Sequence, residues 1–301
     1  MDTPALRRVP AEASIWSPPL PEAAGFEHLI VETPGLRSHV ATIGEGEPVV
    51  LLHGFPQHWW QWRHVASRLA AHGYRAICPD LRGSGWTVAE DPRIDPETRL
   101  ADLRSLLAAL GIERPHVVAH DMGGITAAQL AYQHPELVRS WVQLSVPPFF
   151  MRISPRVLPG FRHLPSLIWH RRGRSLEGIF SSDYVAHPLR PDVIQAHLAP
   201  LARPEVDAAV RRLVRGMVVP VSVQLARGAF ARRRLRPPTL SVFGRQDHPW
   251  DEPLLRRLCG DTAVVADRFE FAFVDDAAHF ITDDAPEAVA DLALDWFERA
   301  G

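Results

Sequence analysis

The chain contains no lysine, so all 33 of its Lys/Arg-type cations are arginine. Without an amine nucleophile, Schiff-base chemistry and a P-loop lysine are both excluded. Cysteine is almost absent as well. Cys78 and Cys259 stand far apart, which leaves no material for a disulfide framework or a Cys-based metal site, and both are expected as buried free thiols. No stretch reaches the roughly 18 consecutive apolar residues of a membrane span. The first 25 residues include Arg7 and Arg8 but no apolar run of the kind a secretory leader carries, so a cytoplasmic location is expected. The formal net charge of −2 gives no global reason to expect nucleic acid or a membrane as a partner. With no glycine-rich phosphate loop and no clustered ligand spacing, no metal and no organic cofactor is expected.

What is present is an ordinary core-forming composition, 46% hydrophobic over 301 residues, punctuated by 28 prolines. Residues 1–25 are rich in Pro and Ala and are expected to be irregular. Two strand-like runs about the Pro34–Gly35 turn signal predict an antiparallel hairpin over 26–43. From Pro48 the pattern changes to short apolar runs alternating with amphipathic stretches such as Leu100, Leu103, Leu107 and Leu110. That alternation predicts a mostly parallel sheet with helices on both faces, in the α/β class. It stops at Pro147–Pro148 and resumes after Pro237–Pro238. Residues 26–148 and 237–301 thus read as one core, and 149–236 as a helical insertion, carrying the stripe Val206, Val210, Leu213, Val214 and Met217. The insertion holds 16 Arg against 5 Asp+Glu, a formal +11, which leaves −13 for the remainder.

The stretch Val117-Val118-Ala119-His120-Asp121-Met122-Gly123-Gly124 is a strand that runs into a glycine-paired helix start, with a reactive residue type at the junction. It has the form of a nucleophile elbow with aspartate as the nucleophile, although Asp121 would also serve as a helix cap. His53-Gly54-Phe55-Pro56, Phe243-Gly244-Arg245-Gln246-Asp247 and Asp276-Ala277-Ala278-His279-Phe280 each follow another strand. All four clusters therefore fall at the carboxyl edge of a parallel sheet, where such sheets place ligands. Asp121, Asp247 and His279 are the candidate nucleophile, orienting acid and general base, with Asp251, Asp275 and Asp276 as nearby alternatives to Asp247.

These motifs resemble the epoxide hydrolase and dehalogenase branch of the α/β-hydrolase superfamily, over nearly the whole chain from His53 onward. The resemblance implies an α/β-hydrolase core with a helical cap and a covalent alkyl-aspartate intermediate. It also implies an oxyanion hole from the backbone N–H groups of Phe55 and Met122. A carboxylate attacking an sp³ carbon forms an ester that water can cleave, whereas a serine would form an inert ether. The expected partner is a small epoxide or organohalide, with a homodimer as a possible assembly.

Epoxide opening needs a donor facing Asp121, and of the three tyrosines only Tyr184 lies in the insertion, with His170 as a second candidate. His53, Pro56, Trp86 and Trp169 are candidate pocket residues. A dehalogenase is the alternative, although Met122 stands where the resemblance implies Trp or Arg for halide or carboxylate binding. A third reading is a non-catalytic ligand-binding protein of the same fold.

Overall fold

The computed structural model describes residues 6–152 and 154–300. Residues 1–5 of the N-terminal segment lie outside the described residues. Most of the rest of that segment is without regular structure, but Leu6–Arg8 forms a short strand (β1), which the reading of 1–25 as irregular did not foresee. The other strands are β2 Glu27–Thr33, β3 Leu36–Ile43, β4 Glu47–Leu52, β5 Tyr74–Pro79, β6 Val88–Ala89, β7 His116–His120, β8 Ser140–Leu144, β9 Thr239–Gly244 and β10 Phe269–Val274. They form one sheet in the order β1-β2-β3-β5-β4-β7-β8-β9-β10, with β6 paired to β3. The pairings β1–β2, β2–β3 and β3–β5 are antiparallel. From β5 through β4, β7, β8 and β9 to β10 every pairing is parallel.

Alternate residues of the parallel strands face two separate apolar layers. Val50, Leu52, Val117 and Ala119 point toward helices Pro96–Ala109 and Met122–Gln133. Val49, Leu51, Val118 and Val142 point toward helices Arg63–Ala71 and Pro286–Ala300. Burial on both faces explains why these strands read as continuous apolar runs in the sequence. Asp95 starts the helix Pro96–Ala109 by accepting from the Thr98 N–H at 2.7 Å, with Pro96 in the first turn.

Between β8 and β9 the chain is helical: Leu164–Ile168, Pro191–Leu198, Pro204–Leu213, a π-helical turn over Val214–Val218, and Val219–Ala226. Val210, Leu213, Val214 and Met217 are buried and join the apolar layer that contains Ile125 and Phe149. This segment therefore packs on the carboxyl edge of the sheet. Chain order reverses at β4, which sends β5 to one side and β7 to the other. The crevice between the carboxyl ends of β4 and β7 is such a switch point.

Candidate active site

Asp121 sits where β7 becomes the helix Met122–Gln133, at φ 46° and ψ −118°. A non-glycine residue in that region is strained and has to be held by its surroundings. The glycines around it allow the required close approach. A Cβ on Gly123 would lie 2.3 Å from the Leu52 carbonyl oxygen, and one on Gly54 would lie 2.8 Å from the Asp121 Cβ. The elbow is thereby pressed against the loop after β4, and the Phe55 N–H donates to Asp121 Oδ2 at 3.0 Å. Met122 is the first residue of the helix, so its N–H is among the four that the helix's own carbonyls cannot reach.

His279, on the loop after β10, presents Nε2 at 3.9 Å from Asp121 Oδ1 and Nδ1 at 3.3 Å from Asp247 Oδ2. The Asp247 side chain is 1% exposed. Burial disfavours the imidazolium of His279, but Asp247, Asp121 and Asp284 together outweigh it and raise the pKa above its ordinary value. Two of the three competing acids are otherwise engaged, and Asp276 is exposed. Asp251 caps the helix Glu252–Cys259 through the Leu254 N–H, and Asp275 pairs with Arg245.

A cavity of about 150 Å³ opens above Asp121, lined among others by Met122, His163, Tyr184, Trp250 and His279. The Tyr184 ring lies 5.6 Å from the His279 ring and 4.9 Å from the His163 ring. Burial raises the Tyr184 pKa, with Asp247 and Asp121 adding to the rise and Arg162 opposing it. The phenol is therefore protonated at neutral pH.

The candidate donor His170 and the candidate pocket residues Trp169 and Trp86 lie elsewhere. His170 is buried against Asp207, Nε2 to Oδ1 2.6 Å, and is not among the residues that line this cavity. Trp169 is 66% exposed. Trp86 is buried and its indole donates to the Pro18 carbonyl at 2.6 Å, tying down the N-terminal segment. The other two pocket candidates, His53 and Pro56, are not among the residues that line the cavity either and shape the loop from behind. His53 Nε2 accepts from the Leu81 N–H at 3.0 Å, its Nδ1 lies 2.8 Å from the Gly54 carbonyl, and Phe55–Pro56 is a cis peptide.

Other residues of the site carried no sequence signal that singled them out. His163 faces Tyr184 across the cavity with a buried Nε2 that has no protein partner among the described residues. His120 Nε2 lies 2.9 Å from the His279 carbonyl oxygen, on the backbone of that loop. Asp284 accepts from the N–H groups of Ala278 at 2.9 Å and Ala186 at 3.0 Å. It joins the His279 loop to the Tyr184 segment, as does the Phe280 N–H donating to the Tyr184 carbonyl.

A sequence model of the alpha/beta hydrolase fold matches residues 47–286, and the chain belongs to that family. Within it the chain falls in the branch of epoxide hydrolases and dehalogenases. It is 42% identical over 146 residues to epoxide hydrolase 2 of Siraitia grosvenorii, an alignment that covers 46% of this chain and 45% of that one. It thus spans about half the length of that curated relative. A soluble epoxide hydrolase of Corynebacterium sp. strain C12 is 29% identical over 274 residues, 87% of this chain and 94% of the other. A fluoroacetate dehalogenase of Burkholderia sp. is 35% identical over 132 residues, 42% of this chain and 43% of the other. The crystal structure of an epoxide hydrolase from Vigna radiata superposes with a TM-score of 0.75 at 24% identity, over 91% of this chain and 99% of that one.

Proposed function

We propose that the protein is an epoxide hydrolase that works through an alkyl ester of Asp121, with residues 149–236 as its cap. The observation that carries this reading is a carboxylate, not a hydroxyl, at the elbow, gripped by the Phe55 N–H at 3.0 Å and faced by His279 Nε2 at 3.9 Å. Asp121 attacks an epoxide carbon. The C–O bond breaks toward the ring oxygen, which takes a proton from Tyr184, with His163 as a second hydrogen-bonding group. His279, oriented by Asp247, then removes a proton from water as that water attacks the Asp121 carboxyl carbon. The Phe55 and Met122 N–H groups hold the tetrahedral oxyanion, a kind of contact worth about 3 kcal/mol per donor. Collapse restores the carboxylate and releases a vicinal diol, one of whose oxygens came from Asp121, and the proton held by His279 returns through solvent to the Tyr184 phenolate. A phenolic donor over a mostly apolar cavity supports an epoxide over an organohalide, whose leaving anion needs no proton.

Mass spectrometry of His279→Gln after incubation with a panel of epoxides and haloacids tests this directly. The expected product is an adduct on Asp121 that weighs the enzyme plus the intact epoxide. An adduct formed with loss of hydrogen halide would instead establish the dehalogenase. Normal turnover by His279→Gln, or no adduct while the wild type turns over, would overturn the mechanism.

A further inference from the structure

The two helical stretches that cover the cavity have a second face. Leu164, Leu167, Val218, Val221, Ser222 and Leu225 look inward and line it. On their outer side stand Trp169, Val219 and Val223, which are 66%, 39% and 43% exposed. Six large apolar side chains are exposed among the described residues, and these are three of them. Arg215 connects them. Val219 and Val223 are a turn apart on their helix, Arg215 stands about a turn before Val219, and Arg215 Nε donates to the Ile168 carbonyl at 3.0 Å, beside Trp169.

Arg215 also lines a surface groove of about 790 Å³, together with Arg93, Arg172, Arg211 and Arg212. The two carboxylates in that groove are already engaged. Asp91 pairs with Arg93 at 3.3 Å, and Asp207 accepts from the Gly173 N–H at 2.8 Å and faces His170 at 2.6 Å. Arg172, Arg211, Arg212 and Arg215 are left without an acidic partner among the described residues. Phosphate oxygens match such guanidinium forks.

We propose that this face docks on an anionic phospholipid surface, with headgroup phosphates in the arginine groove and Trp169, Val219 and Val223 entering the interface. Apolar side chains beside unmatched cations are what such a surface selects. The overall charge of −2 conceals this arrangement, because the +11 of residues 149–236 is offset by −13 elsewhere. That separation turns the basic face toward an anionic surface and the acidic body away from it. A symmetric dimer through this face would set its unmatched arginines against one another. A nucleic acid would find one stacking platform, Trp169, and no use for the exposed Val219 and Val223. The attachment is peripheral, since no helix among the described residues is long and apolar enough to cross a membrane.

The test is sedimentation of the full chain with vesicles of phosphatidylcholine alone or with about one-third phosphatidylserine, at physiological ionic strength and above it. Partition into the anionic vesicles should be at least ~10-fold stronger and should weaken with salt. The variant Arg211→Glu/Arg212→Glu should lose ~10-fold or more of that partition. Trp169→Ser should lose several-fold at every salt concentration. Each variant is compared after its melting temperature is shown to match the wild type, and either one alone suffices for the comparison. Equal partition into neutral vesicles, or variants that bind like the wild type, would overturn the proposal. So would self-association without lipid that the same substitutions abolish, or displacement from vesicles by a stoichiometric amount of single-stranded RNA. None of these readouts depends on turnover, so the proposal stands or falls independently of the epoxide hydrolase reading.

Discussion

Tyr184 and His163 divide the labour of ring opening unequally, because only the phenol lies in ring contact with both His279 and His163. Tyr184→Phe should slow the alkylation of Asp121 by about 10²-fold, the size of a lost general acid. His163→Phe should slow it by ~10-fold, as a lost hydrogen bond to developing charge. His170→Phe should leave alkylation nearly unchanged and instead destabilise the protein by about 3 kcal/mol, since it strands the buried Asp207 carboxylate. Single-turnover rates and denaturant midpoints on the three variants check this, and an alkylation defect confined to His170→Phe would reverse the assignment. His170 stood out in the sequence because it follows Trp169 in the insertion, while nothing there singled out His163. Two turns of continuous helix would put both on one face, but the helix ends at Ile168, and the turn beyond it exposes Trp169 and sends His170 toward Asp207. Asp121, Asp247 and His279 were legible because each follows a strand whose apolar run is unambiguous.

At the scale of the element, the elbow depends on how closely its helix approaches β4. Gly123→Ala would set a Cβ 2.3 Å from the backbone oxygen of Leu52, which cannot move without disturbing the sheet. Gly124→Ala would meet the Val146 Cγ1 at 2.6 Å, a side chain that can rotate away. The first substitution should cost about 3 kcal/mol and abolish activity, the second about 1 kcal/mol. Equal denaturant midpoints for the two would refute this account of the elbow. The parallel strands and their helices were readable from period and length, since both faces of the inner strands are buried. Two kinds of element were not readable. Leu6–Arg8 is a short edge strand with a polar composition, and it exists only because β2 offers a free edge. The π-helical turn at Val214–Val218 surrounds Gly216, whose missing Cβ would lie 1.9 Å from the Ile94 carbonyl oxygen. That contact is distant in sequence, and local periodicity carries no trace of it.

For the whole molecule, the decisive titrations are those of histidines buried without charge. Burial pushes the pKa values of His28, His53, His116 and His120 down to about 4, and that of His58 to about 3, from an ordinary 6.5. These histidines stay neutral in the fold across a range in which the unfolded chain protonates them. Between pH 6.5 and about 4 the unfolded state therefore binds more protons, and stability falls as pH falls. Their stabilising contribution is complete above 6.5, is lost progressively down to about 4, or 3 for His58, and changes no further below that. A histidine held from 6.5 down to about 4 corresponds to roughly 3 kcal/mol, so two or three such groups consume much of a typical 5–15 kcal/mol of folding stability. The chain should therefore unfold cooperatively between about pH 4 and 6, before most carboxylates are protonated. Tryptophan fluorescence and circular dichroism followed across that range should give one coincident transition. A fold that retains full stability down to pH 4 would mean that these histidines find compensating protons or partners inside it, and that burial does not keep them neutral.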